Sequence, residues 1–178
     1  HCSMNQTMNI EVLPYDPEWP ELYASEKEVL LEKFGRIVEN IYHIGSTAVE
    51  GLAAKPIIDI LLETNSLEKL DGLDDEFESL AYEAMGEFGI PGRRYFRKGG
   101  IERTHQIHAF ASGSHHITRH LAFRNYLREM PEIRKEYEGL KTRVALECNH
   151  DIDKYCKGKH AFIQEHERNA LDWIQDRN

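Results

Sequence analysis

Apolar side chains recur at helical spacing from Trp19 to Phe34 (Trp19, Leu22, Tyr23, Val29, Leu30, Phe34), which places them along one face of a helix. Asp16 ahead of Pro17 supplies an N-cap and a first helical residue whose missing N–H costs nothing, and Gly35 closes the element. Residues 37–44 read as a strand that ends at Gly45-Ser46, and 47–54 as a turn or short helical stretch. Pro56 then opens the run Ile57-Ile58-Asp59-Ile60-Leu61-Leu62, almost wholly aliphatic and β-branched, which predicts a central strand buried on both faces. Residues 66–85 carry a helical pattern interrupted near Gly72. Residues 95–98 and 103–110, joined through Gly99-Gly100, predict a β-hairpin. From Ser114 onward the spacing stays helical, with Pro131 dividing 116–130 from 132–147 and a last helical stretch over 151–174. This order predicts an α+β or α/β fold: a mixed β-sheet with flanking helices and a helical C-terminal third.

The chain of 178 residues fits one domain, taken here as 9–178, with residues 1–8 read as a tag remnant or a disordered N-terminus. With 40% hydrophobic residues it can bury a core, yet no apolar run approaches the ~20 residues of a membrane helix, so no membrane partner is expected. Three cysteines form no paired framework, which suits a reducing, cytoplasmic setting. A net charge of −9 argues against long nucleic acid as a partner. The charge is unevenly spread, however. Nine acidic residues and one lysine lie between Glu63 and Glu87, whereas eight Lys/Arg and one Glu lie between Arg93 and Arg128, interleaved with five histidines. The acidic block reads as a solvated face. The basic block reads equally as a solvated face or as a local anion site suited to a small nucleotide.

Asp59 is the most informative position. A carboxylate among five aliphatic neighbours is costly to bury unless it is paired, so it either meets a lysine or backbone donor or faces a site where it can hold a hard divalent cation. The segment before it favours the second reading. Gly45 lets backbone approach a phosphate, and Ser46 with the following amides can donate to its oxygens. Glu63 is four residues further along the same face, ~13 Å away, too far to share one ion with Asp59. His105 and His108 are three apart and point to opposite faces of a regular strand; His108 is the better partner for Asp59. His116 and His120 read as a solvated helix face, and Cys148, His150, Cys156 and His160 match no common zinc spacing. No nucleophile elbow, Walker loop, dinucleotide fingerprint or His-Glu-x-x-His motif is present.

The run from His43 to Ile60 (HIGSTAVEGLAAKPIIDI) resembles the diagnostic segment of the GrpB family, predicted nucleotidyltransferases of the DNA polymerase β-like superfamily. The resemblance extends over nearly the whole chain, through Val12 to Pro20, Arg94 to Lys98, Arg103 to His108, Phe123 to Arg128, and Tyr155 with Lys159. It implies a nucleoside triphosphate and a divalent metal (Mg or Mn, with Zn or Fe if histidines contribute) as cofactors. Asp59 would be the catalytic residue and metal ligand, joined by His105 or His108. Gly45, Ser46, Thr47, Lys55, Arg103, Arg124, Tyr155 and Lys159 would face phosphate or nucleotide. The superfamily pattern asks for a second acidic residue two positions after the first, where this chain has Leu61. Three functions follow as expectations: nucleotidyl or phosphoryl transfer to an acceptor the sequence does not name, nucleotide or metal binding without transfer, and a metal-dependent hydrolase using Asp59 with histidine.

Overall fold

The computed structural model describes residues 9–177. Residues 1–8, and with them the tag or disorder reading, lie outside the described residues. Helix α1 (Glu18–Phe34) leads into β1 (Val38–Ile44), a 3-10 turn over Ser46–Ala48, and β2 (Ile58–Thr64). Two short helices, α2 (Leu67–Asp71) and α3 (Asp74–Ser79), precede β3 (Glu83–Ala84), β4 (Arg94–Lys98) and β5 (His105–Ala111). Helices α4 (His115–Glu129), α5 (Pro131–Glu147) and α6 (Ile152–Asp176) complete the chain.

The five strands form one mixed sheet in the order β1-β2-β5-β4-β3, with β2 and β5 parallel and the other pairs antiparallel. The α+β reading with a helical C-terminal third therefore holds. Asp16 Oδ1 accepts from Glu18 N at 2.9 Å, but the N-cap position falls on Pro17, one residue later than expected, and α1 begins at Glu18. Residues 80–85 depart from the expected helix: Ala81 takes a φ of 69° and the chain turns into β3. Leu80, Ala81 and Ala84 fit a helical spacing only by coincidence with a turn and a short edge strand.

Period-two alternation divides the sheet into two faces. Ile58, Ile60 and Leu62 of β2 join Ile107 and Ala109 of β5 in a core with Trp19, Leu30 and Phe34 of α1. Phe77 stacks between Phe34 (4.1 Å) and Phe96 (3.9 Å), fastening α3 to α1 and the sheet. On the other face Ile44, Leu61 and Phe110 pack with Ile117 of α4. Ser114 caps α4 and Asp151 caps α6, each side chain accepting from backbone N–H groups of the first turn. At Gly158 the two long helices come so close that a Cβ would lie 2.6 Å from Val144 Cγ1. No helix among the described residues is long and apolar enough to cross a membrane.

Part of the basic block is paired, in two cases with the acidic block. Arg94 pairs with Asp71 (2.6 Å), Arg97 with Glu83 (3.3 Å), and Lys98 with Glu26 of α1 (3.0 Å).

Candidate active-site cleft

The strand order sets Asp59 beside both neighbours it needs. β2 pairs with β1 so that Asp59 opposes Ile44, the residue before Gly45, and with β5 so that it opposes Gln106. Asp59 thus emerges where the chain leaves β1 for the Gly45-Ser46 turn, and its side chain is 25% exposed rather than sealed in apolar surroundings. Gly45 has φ 75°, and its missing Cβ leaves space that Asp59 Oδ2 fills.

Asp59 Oδ1 lies 3.0 Å from His108 Nε2. His108 Nδ1 lies 3.4 Å from Arg93 Nη1, a donor, so Nδ1 accepts and Nε2 carries the proton given to Asp59. Burial in the sheet holds His108 below the usual histidine range despite the carboxylate beside it. Gln106 completes the arrangement. With its amide nitrogen 2.8 Å from Asp59 Oδ1, its oxygen accepts from Arg103 Nη1 and Tyr95 Oη, both at 3.2 Å. Two neutral donors thus fix Asp59 Oδ1.

The cleft in front of Asp59 encloses about 90 Å³. Its walls include Gly45, Ser46, Thr47, Lys55, Asp59, His108, Arg124, Tyr155 and Lys159, all of them residues the sequence singled out. Two singled-out residues stand elsewhere. His105 projects to the opposite face, where its Nε2 is 3.4 Å from Glu26 Oε2, so it is not beside Asp59 and cannot share an ion with it. The register explains this: His105 opposes Ile58 and shares the face of Ile107, whereas Gln106 and His108 share the face of Asp59. Arg103 is not among the lining residues and connects to Asp59 through Gln106. His120, read as part of a solvated face, is buried against His108 and Phe110 and lines the cleft.

The turn is held from behind by the C-terminal helices. Thr47 Oγ1 donates to Ile57 O at 3.2 Å and is 2.9 Å from His43 Nε2. Arg124 Nη1 donates to His43 O, and Arg128 donates through Nε and Nη2 to Ala48 O. Glu138 accepts from Ala53 N at 2.7 Å, while Lys141 donates to Ala53 O at 2.6 Å and to Ser46 Oγ at 2.8 Å. Lys141 and Tyr137, both lining the cleft, escaped the sequence reading. In an amphipathic helix pattern a lysine one turn from a tyrosine looks like surface, and only contact with residues some ninety positions earlier makes it part of the site.

A divalent metal finds few ligands here. Among the described residues no group of three or more His, Cys, Asp or Glu side chains could hold an ion. Leu61, at the second acidic position of the superfamily pattern, is fully buried with Ile44, Phe110 and Ile117. A two-metal site needs carboxylates bridging ions ~4 Å apart, and Asp59 alone does not provide them.

A mixed sheet with a cleft lined by lysines, an arginine and Asp59 at its strand ends, and a helical C-terminal region, defines an α+β protein. The chain belongs to the GrpB family: the model described as "GrpB protein" matches residues 9–169. It is 44% identical over 169 residues to UPF0157 protein YqkA of Bacillus subtilis, covering 95% of this chain and 49% of that protein. The chain thus spans about half the length of that relative. It is 31% identical over 159 residues to Glutamate-rich protein GrpB of Alkalihalophilus pseudofirmus, covering 86% of this chain and 91% of the relative. Among solved structures, that of the conserved protein GrpB from Enterococcus faecalis matches with a TM-score of 0.89 at 46% identity, covering 93% of this chain and 99% of that one.

Proposed function

We propose that the chain binds a nucleoside triphosphate as a nucleotidyltransferase-like module, with the phosphates at the inner end of the cleft and the nucleoside toward its mouth. The observation that carries this reading is the charge of the wall: Lys55, Lys141, Lys159 and Arg124 face a space that holds one carboxylate, Asp59. Cations gathered around a small cavity favour a compact, multiply charged anion. The inner space of about 90 Å³ suits phosphate groups and leaves base and sugar outside. The Gly45-Ser46 turn at the strand end suits phosphate as well. A cytoplasmic setting, where such nucleotides are abundant, goes with the reading.

A second reading, nucleotide binding without transfer, is favoured by Leu61, which leaves Asp59 without the carboxylate partner that metal-assisted transfer uses. The hydrolase reading, Asp59 with His105 or His108, loses His105 to the far face and keeps only His108 beside Asp59.

Titration calorimetry with ATP, CTP and adenosine, each with and without Mg²⁺ or Mn²⁺, tests the proposal. ATP or CTP should bind and adenosine should not, because recognition lies in the phosphates. Absence of binding by both triphosphates under every condition, or equal binding of adenosine, would overturn it.

A further inference from the structure

Three lysines from three separate elements meet at the inner end of the cleft: Lys55 ahead of β2, Lys141 on α5 and Lys159 on α6. Lys141 is 2% exposed and rests over the Tyr137 ring at 4.4 Å. Lys55 and Lys159 both stand over the ring of Tyr155, at 4.7 and 4.4 Å. Among the described residues neither of these two ammoniums has a hydrogen-bond acceptor or a carboxylate within ion-pair distance. Tyr155 lines the same cleft, and its hydroxyl is buried with no hydrogen-bond partner among the described residues.

A buried ammonium without acceptors is costly, and a cation–π contact offsets only ~1–2 kcal/mol of that cost. Here the cost falls on two ammoniums, those of Lys55 and Lys159, around one cavity. Lys141 has a structural task, donating to Ala53 O and Ser46 Oγ, but no such bond among the described residues employs Lys55 or Lys159: Asp59 Oδ1 is held by His108 and Gln106, and the sheet core is apolar. What the cluster lacks is a set of oxygen acceptors bearing several negative charges. We infer that Lys55, Lys141 and Lys159 form a receptor for a diphosphate or triphosphate group that needs no divalent metal.

This rests on the phosphate reading and deepens it, since the lysines stand where a metal would otherwise offset ligand charge. The surroundings agree. The groups facing the lysines are Asp59 from β2, Arg103 ahead of β5, Glu138 and Tyr137 from α5, Cys148 at its end, and Tyr155 from α6. Burial outweighs the two carboxylates and pushes Lys55 down to about 8, Lys141 down to about 7 and Lys159 well below its ordinary value. An entering polyphosphate favours the charged form, so whichever of these lysines is neutral in the empty cleft takes a proton from the buffer.

The test is titration calorimetry of wild type, Lys141→Met and Lys159→Met with ATP and with inorganic pyrophosphate, in EDTA and in Mg²⁺, using two buffers of different ionisation heat. Both ligands should bind in EDTA. The binding heat should differ between buffers in the sense of proton uptake, and each substitution should weaken binding at least tenfold. Each variant removes a buried charge and should remain folded; should one not, Lys159→Gln gives the same comparison. Binding that requires Mg²⁺ and is unchanged in the lysine variants would overturn the metal-free receptor while leaving the phosphate reading intact. No binding of ATP or pyrophosphate in any condition would overturn both.

Discussion

Gly45 and Asp59 share one space: a Cβ on Gly45 would lie 2.6 Å from Asp59 Oδ2 and 3.1 Å from Asp59 Cβ. The glycine also has φ 75°, where an L side chain is strained. Gly45→Ala should therefore both cost stability, by ~1–3 kcal/mol, and push Asp59 out of reach of His108. Gly51 is the matched control. It has φ 84° but nothing within 4 Å of an added Cβ, so Gly51→Ala carries the backbone strain alone. Urea midpoints should fall further for Gly45→Ala than for Gly51→Ala, and only the former should alter ATP binding.

The pairing of Gly45 with Asp59 was legible because a glycine at the end of one predicted strand and a carboxylate inside the next leave few registers. The aliphatic run fixed the β2 core, and the spacing of His105 and His108 already set them on opposite faces. Lys141 and His120 were not legible. Each sits in a helix whose periodicity accommodates it as surface, and its role depends on α4 and α5 folding back over the sheet. Residues 80–85 failed for a different reason: short edge strands carry too little periodicity to outvote apolar positions that happen to match a helix.

Arg128 ties α4 to the turn after Gly45 through two donors on one carbonyl, Ala48 O, at 3.0 and 2.8 Å. Arg128→Ala leaves that carbonyl without these partners and should cost ~1–3 kcal/mol. Arg128→Lys keeps the charge but not the planar fork, so it should recover only part of the loss. Urea denaturation of both variants checks the order.

The buried lysines predict an unusual alkaline trend for the ligand-free protein. Lys141 lies at about 7 in the folded state against 10.5 in the unfolded chain, so between those values the unfolded chain holds more protons and stability rises with pH. Lys55, at about 8, adds to the upper part of this window. On the acid side His43 lies at about 4 against 6.5, so stability also rises across that interval and is lost as pH falls through it. Melting temperature followed across both windows should show two rises. Lys141→Met removes this titration and should flatten the alkaline rise, while leaving Ala53 O and Ser46 Oγ without that donor; a slope unchanged by this substitution would assign the trend to other groups.

Leu61 is where a restored two-carboxylate site would put its second acid, but its environment is core. It is fully buried, with Ile44, Phe110 and Ile117 as neighbours. Leu61→Asp should therefore destabilise by several kcal/mol and gain no metal affinity. A folded variant that binds Mn²⁺ more tightly than wild type would show that the site is a degenerate metal centre.

Asp59→Asn separates metal-mediated from lysine-mediated binding most directly. The change is nearly isosteric, and Asn Oδ1 can still accept from His108 Nε2 and Gln106, the two donors that now hold the carboxylate at 3.0 and 2.8 Å. The variant should fold with a melting temperature close to that of wild type. If a divalent ion bridged Asp59 and the phosphates, removing the carboxylate charge would abolish ATP binding in Mg²⁺. With lysines as the receptor, the carboxylate instead repels the ligand, though it also helps keep Lys55 and Lys159 protonated. Repulsion by a fixed charge within a few ångströms of several phosphate oxygens is the larger of these two opposing effects, because the ligand itself restores the protons. Binding of ATP in EDTA should therefore persist in Asp59→Asn and tighten by roughly three- to tenfold. Calorimetric titrations of wild type and variant, in EDTA and in Mg²⁺, give the comparison, and loss of binding in both media would return Asp59 to the role of a required ligand contact.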